Sequence, residues 1–202
     1  MSIVPRGAAT GARGALAPVA RALHSAGVSA NAVTFAGLLI TIAGALLVAL
    51  GQPWPAVVVL LAGTLADTLD GEIARLSGGG TKLGAFLDST FDRLSDASLC
   101  VAALIVAVTH GGSLLFFSAI LALVAGSLVP YIRAKAESLG LTASVGLAPR
   151  EARLVLMVLG IAAWAVSGSL SLFAAAVAIV ALLSTITAAQ RIAHVARALR
   201  NT

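Results

Sequence analysis

Three long stretches without a single charged side chain constrain this chain more than any other feature: 22–66, 97–132 and 154–190, of 45, 36 and 37 residues. A helix needs about 20 apolar residues to cross the hydrocarbon core of a bilayer, so each stretch is two crossings long and reads as a helical hairpin. Their midpoints carry turn residues without charge: Gly51-Gln52-Pro53-Trp54-Pro55, Thr109-His110-Gly111-Gly112-Ser113 and Ser167-Gly168-Ser169. The pattern predicts six transmembrane helices, over 32–50, 55–76, 84–108, 113–139, 150–167 and 170–194. Composition agrees, since 59% of residues are hydrophobic and only 10% charged, too little polar surface for a water-exposed sphere. With 4% aromatics and no apolar/polar alternation, a transmembrane β-barrel is excluded. The fold class expected is an all-α integral membrane protein. It forms one domain over 1–202, with an interfacial segment at 1–27 and a six-helix bundle at 32–194, and no internal repeat marks a second domain.

The charges fall into clusters at Arg6 to Arg21, Asp67 to Asp96, Arg133 to Arg153 and Arg191 to Arg200, all on one side of that topology. The excess of 13 Lys+Arg over 8 Asp+Glu places this side in the cytoplasm of a multi-pass cell-membrane protein, with both termini and any active site there. The basic balance thus points to membrane topology and anionic ligands rather than to nucleic acid. The first 26 residues lack the compact apolar core of a cleavable signal. Arg6, Thr10, Arg13 and Arg21 instead share one side of a helix, as on an amphipathic helix lying among headgroups. Trp54 and Trp164 map near the opposite surface, where indoles anchor at the interface. The lone Cys100 reads as a packing residue, and His24, His110 and His194 have no metal partner at useful spacing.

Against this apolar background, Asp67 and Asp70 close the second span and Asp88 and Asp92 open the third. An acidic residue at membrane depth costs roughly 2.5–3.5 kcal/mol on insertion scales, so four of them mark a functional site with a cation partner. At about 100° per residue, Asp67, Asp70, Gly71 and Ala74 share one helix face, and Gly84, Asp88 and Asp92 form an i, i+4, i+8 stripe. Both faces pair acids with residues almost without side chain, leaving room for something large. An all-oxygen set favours one or two hard divalent ions over zinc. The intervening Ser77-Gly78-Gly79-Gly80-Thr81-Lys82 offers backbone N–H groups, a hydroxyl and an ammonium to phosphate oxygens, although it is not a Walker loop. Asp96 continues the stripe as a supporting group. Glu72 points away from the acid face, towards solvent or a headgroup-side cation, and Arg93 points away from the stripe, to pair with Asp96 or its surroundings.

The spacing Asp67-x2-Asp70-Gly71-x2-Ala74-Arg75-x8-Gly84-x3-Asp88-x3-Asp92 resembles the full signature of the CDP-alcohol phosphotransferase family. The resemblance implies six transmembrane helices, a homodimer, and transfer of a substituted phosphate from a CDP-linked lipid to an alcohol with release of CMP. It implies two divalent ions, magnesium or alternatively manganese, on Asp67, Asp70, Asp88 and Asp92, with Asp92 also the general base. Gly71, Arg75 and Thr81 match positions contacting the nucleotide or its phosphates, and Asn31-x2-Thr34 resembles a further CDP-binding element. The competing reading of Asn31 is ordinary helix capping.

Outside the signature, Arg133, Lys135, Arg150, Arg153 and Arg191 exceed what one metal-paired pyrophosphate requires. The surplus suggests an acceptor with its own phosphate, held by forked guanidinium contacts; headgroup contacts and topology are the bland alternative. The run Tyr131 to Glu137, the pair Arg150-x2-Arg153 and Arg191 resemble the phosphatidylinositol phosphate synthase subfamily of actinobacterial type. That likeness implies CDP-diacylglycerol as donor and inositol phosphate as acceptor. Arg133 and Lys135 point about 200° apart, so Lys135, Arg150, Arg153 and Arg191 are the expected acceptor-phosphate ligands, with Arg133 paired to Glu137 at i+4. Pro130 departs from the serine common there and is expected to kink its helix. A phosphatidylglycerophosphate synthase using glycerol phosphate is the nearest rival. A divalent-cation transporter is the rival of another class, but would not need Gly71, Ala74, Arg75 and Gly84 at those spacings.

Overall fold

The computed structural model describes residues 6–200, with side chains from residue 16 onward. Seven helices follow one another with short connections: α1 (Arg6–Ser25), α2 (Ala30–Ala49), α3 (Pro53–Leu76), α4 (Lys82–His110), α5 (Ser113–Ser138), α6 (Arg150–Ser167) and α7 (Leu170–Arg200). No strand occurs among the described residues. The helices α2 to α7 coincide with the six expected segments to within two residues, except that α7 runs on from 194 to Arg200. Three of them, α2, α5 and α7, are long and apolar enough to cross a membrane. All but α2 of these six helices carry charged residues near one end. The side chains of Arg6, Thr10 and Arg13, on which the amphipathic face of α1 rests, lie outside the described residues.

Two compact units divide the chain, one reaching to Leu99 and the other running from Cys100. In the first, α2 and α3 pack closely because glycines face larger partners. A Cβ on Gly44 would stand 2.7 Å from Leu60 Cδ2, one on Gly63 2.8 Å from Thr41 Oγ1, and one on Gly37 3.3 Å from Ala66 Cβ. This brings the C-terminal half of α3, with its acids, against the first half of α2. The helix α1 also packs on α3, and His24 Nδ1 approaches Ser77 Oγ at 3.4 Å. Between α3 and α4, Gly78 and Gly79 adopt φ of +90° and +115°, which side chains rarely tolerate, so this tight connection requires glycine.

In the second unit α7 packs against both α5 and α6. Pro130 lies inside α5. Trp164 is not an interfacial anchor: it is buried, stacked on Phe173 at 5.8 Å and met edge-on by His110 at 6.3 Å. The Gly160 backbone beside Ala176 and Phe173 lets α6 and α7 approach closely enough to enclose the indole. Trp54 does stay exposed, and Cys100 is buried.

Candidate active site

The acids converge where α3 ends and α4 begins. Asp67, Asp88 and Asp92 each offer one carboxylate oxygen, and the three atoms lie within 4.8 Å of one another. The fourth, Asp70, sits beside them: it is buried, the hydroxyl of Thr34 and the charges of Asp67 and Asp88 act on it, and its Oδ2 has no hydrogen-bond partner among the described residues. Buried carboxylate oxygens are ordinarily satisfied, and three further anions converging nearby repel one another. A hard divalent cation answers both conditions, since its preferred donors are carboxylate oxygens at such convergence. The residues present therefore fit the metal site that the acids suggest. Asp96 is not among the three converging carboxylates.

The flanking positions gather around this cluster. Asn31 does not cap α2; Ser29 does, its side chain accepting from the N–H of Ala32 at 3.2 Å. Asn31 lies instead one turn before Thr34, against the start of α4. A Cβ on Gly84 would stand 3.0 Å from Asn31 Oδ1 and 3.2 Å from Thr81 Oγ1. Gly84 is thus small for a reason other than room beside the acids: it admits Asn31 and Thr81. The Thr81 hydroxyl accepts from the N–H of Gly84 at 3.0 Å, capping α4, while its own proton is not used in that bond. Beside Gly71 the space is open, with nothing within 4 Å of an added Cβ.

Two ion pairs lie beside the acids. Glu72 is bound within its own helix, accepting from Arg75 Nη2 at 2.6 Å. Arg93 Nη2 lies 3.5 Å from Asp92 Oδ2. Adjacent side chains on a helix diverge by about 100°, but the long guanidinium stem can fold back over its neighbour. Its Nε is buried without a hydrogen-bond partner among the described residues.

The cations outside the signature belong to the second unit. Arg133 Nε donates to Glu137 Oε1 at 2.8 Å, the i+4 pair expected. Lys135 is exposed, Arg150 half-buried at the first position of α6, and Arg153 buried. Arg191 has a structural task that its spacing did not reveal: Nε donates to Val145 O at 2.9 Å and Nη1 to Val129 O at 2.8 Å. Those carbonyls lie 46 and 62 positions away, beyond any local pattern.

The sequence profile of the CDP-alcohol phosphatidyltransferase family matches residues 27–195. The chain belongs to this family. Among related CDP-alcohol phosphatidyltransferases, the phosphatidylinositol phosphate synthase of Mycolicibacterium smegmatis is 40% identical over 146 residues, 71% of this chain. The chain spans 65% of that relative's length. The archaetidylinositol phosphate synthase of Pyrococcus horikoshii is 35% identical over 178 residues, 86% of this chain and 87% of the relative. Crystal structures of the Mycobacterium tuberculosis phosphatidylinositol phosphate synthase, 32% identical, superpose with TM-score 0.82. One, in complex with manganese and citrate, covers 88% of this chain and 87% of that one. The other, with CDP-DAG bound, covers 89% of this chain and 92% of that one. The helical architecture is that of the membrane CDP-alcohol phosphatidyltransferases, and the acids now have a reason other than an ion path.

Proposed function

We propose that the chain transfers the phosphatidyl group of CDP-diacylglycerol to D-myo-inositol phosphate, giving phosphatidylinositol phosphate and CMP. The observation that carries this reading is the convergence of Asp67, Asp88 and Asp92 beside the buried Asp70. Likeness to a phosphatidylinositol phosphate synthase crystallised with manganese, and with CDP-DAG, supports it. The four aspartates would hold two magnesium ions, with manganese as the alternative. Bound metal supplies charge neutralisation of the pyrophosphate and of the departing CMP.

The remaining steps are the work of this chain's own residues. Asn31, Thr34, Gly71, Arg75 and Thr81 bind and orient the CDP group; the open space beside Gly71 lets the nucleotide approach the backbone, and Thr81 retains a proton to donate. Asp92 accepts the proton of the acceptor hydroxyl. The freed oxygen forms a bond to the phosphorus carrying diacylglycerol as the bond from that phosphorus to the bridging oxygen breaks, and CMP leaves with the bond electrons. Lys135, Arg150, Arg153 and Arg191 receive the acceptor's phosphate, the surplus of cations over the needs of one pyrophosphate being the reason. The whole length acts as one membrane domain: α1 lies at the interface, and α2 to α7 span the cell membrane with both termini and the site cytoplasmic. It works as a homodimer.

CMP release by the purified protein, with CDP-diacylglycerol and magnesium, tests the reading against a panel of inositol phosphate, free inositol and glycerol phosphate. We expect release with inositol phosphate alone. Release with glycerol phosphate instead would replace the acceptor, and no release with any acceptor would overturn the reaction.

A further inference from the structure

The loop 139–149 between α5 and α6 is fastened to one face of α7. Thr187, 1% exposed, accepts from the N–H of the equally buried Ala148 at 3.3 Å. One turn further along α7, Arg191 Nε holds Val145 O. Between these two points Gly146 has φ of +143°, and a Cβ there would run into Thr187 Cγ2. Gly146 and Thr187 therefore fit as a seat and its occupant: neither a side chain on the loop nor a bulkier one on α7 leaves room for the other. Two residues beyond Ala148 the chain reaches Arg150, the first residue of α6, and Arg153 follows in the same turn.

We propose that Thr187, seated against Gly146, is a positioning residue for the acceptor. By holding the Ala148 amide it fixes where α6 begins and so the direction in which Arg150 and Arg153 are presented. This rests on the assignment of those arginines to the acceptor's phosphate. Guanidinium forks recognise phosphate with strict geometry, so a small shift of the helix start weakens acceptor binding before it disturbs anything that binds the donor. The spacing of the cations gave no sign of this role, because the hydroxyl and the amide it holds are 39 positions apart.

The test compares Thr187→Val, which keeps the volume and removes the hydroxyl, with Thr187→Ser, which keeps the hydroxyl. CMP release by the full chain is measured with inositol phosphate varied at saturating CDP-diacylglycerol, and the reverse. For Thr187→Val we expect the KM for inositol phosphate to rise about 5- to 20-fold, the order of one misplaced or lost polar contact. The KM for CDP-diacylglycerol should stay unchanged, Thr187→Ser should restore the acceptor KM, and hydrogen exchange of the Ala148 amide should speed up in the valine variant alone. An unchanged acceptor KM, a parallel rise in both KM values, or a serine variant as impaired as valine would overturn the proposal. If Thr187→Val does not accumulate as folded protein, Gly146→Ala displaces the same contact from the loop side and is read by the same split. A wild-type protein that uses only glycerol phosphate refutes the acceptor assignment but leaves the positioning role to be judged on the glycerol phosphate KM. A wild-type protein inert with every acceptor refutes both.

Discussion

Asp92 carries two tasks that pull against each other. A carboxylate that helps hold metal ions has fewer lone pairs left for a proton, and Arg93 Nη2 stands 3.5 Å from Asp92 Oδ2. What Asp92 offers is position: a general base is chosen first by reach and only then by strength. Asp92→Asn keeps the shape and one oxygen while removing the proton acceptor. We expect its turnover to fall about 10²- to 10⁴-fold, while manganese, followed by its electron paramagnetic resonance, still binds to the remaining aspartates. Near-normal turnover with manganese bound would remove the base role. Arg75 poses a similar question, because Glu72 already holds it. A pair three residues apart on a helix surface is worth only about 0.2–0.5 kcal/mol, so a pyrophosphate can draw Arg75 away. Helical spacing allows the i, i+3 pair of Glu72 and Arg75, but not the contact of Arg93 with its neighbour Asp92, since a guanidinium reaches back over a distance that angles alone do not measure.

Elements were far more legible than pairs. Turn residues rich in Gly, Pro and Ser located the breaks between most of the helices α2 to α7, while most of the helices run on through the charged clusters. The same logic missed what depends on neighbours distant in sequence. Trp164 is buried because α6 and α7 approach across Gly160, and Gly84 is small because Asn31 stands against it. Ser29, not Asn31, caps α2, which its backbone angles of φ −79° and ψ 151° show. The number of crossings is the elemental claim to test, since length and composition mark three helices among the described residues, α2, α5 and α7. Single cysteines placed in the connections, with the buried Cys100 as a low background, should divide by side. We expect those near 51, 111 and 168 to react with an impermeant thiol reagent added outside intact cells, and those near 79 and 145 to react only after permeabilisation. Outside labelling near 79 would contradict six crossings with a cytoplasmic site.

At the scale of the whole molecule, the chain is a helical membrane framework that brings four carboxylates to one end of two neighbouring helices. The family signature was readable in full because its spacing is local to α3 and α4, whereas the fastening of the α5–α6 loop by Thr187 and Arg191 is a property of the folded chain only. The account predicts a single metal-dependent event that makes lipid and nucleotide together. The measurement that tests this most directly is the ratio of CMP released to labelled phosphatidylinositol phosphate formed from labelled inositol phosphate in one sample, before and after chelation of divalent ions. One lipid per CMP, both abolished by chelation and restored by added magnesium, is the result expected. CMP without labelled lipid, or product formation that persists after chelation, would contradict the account.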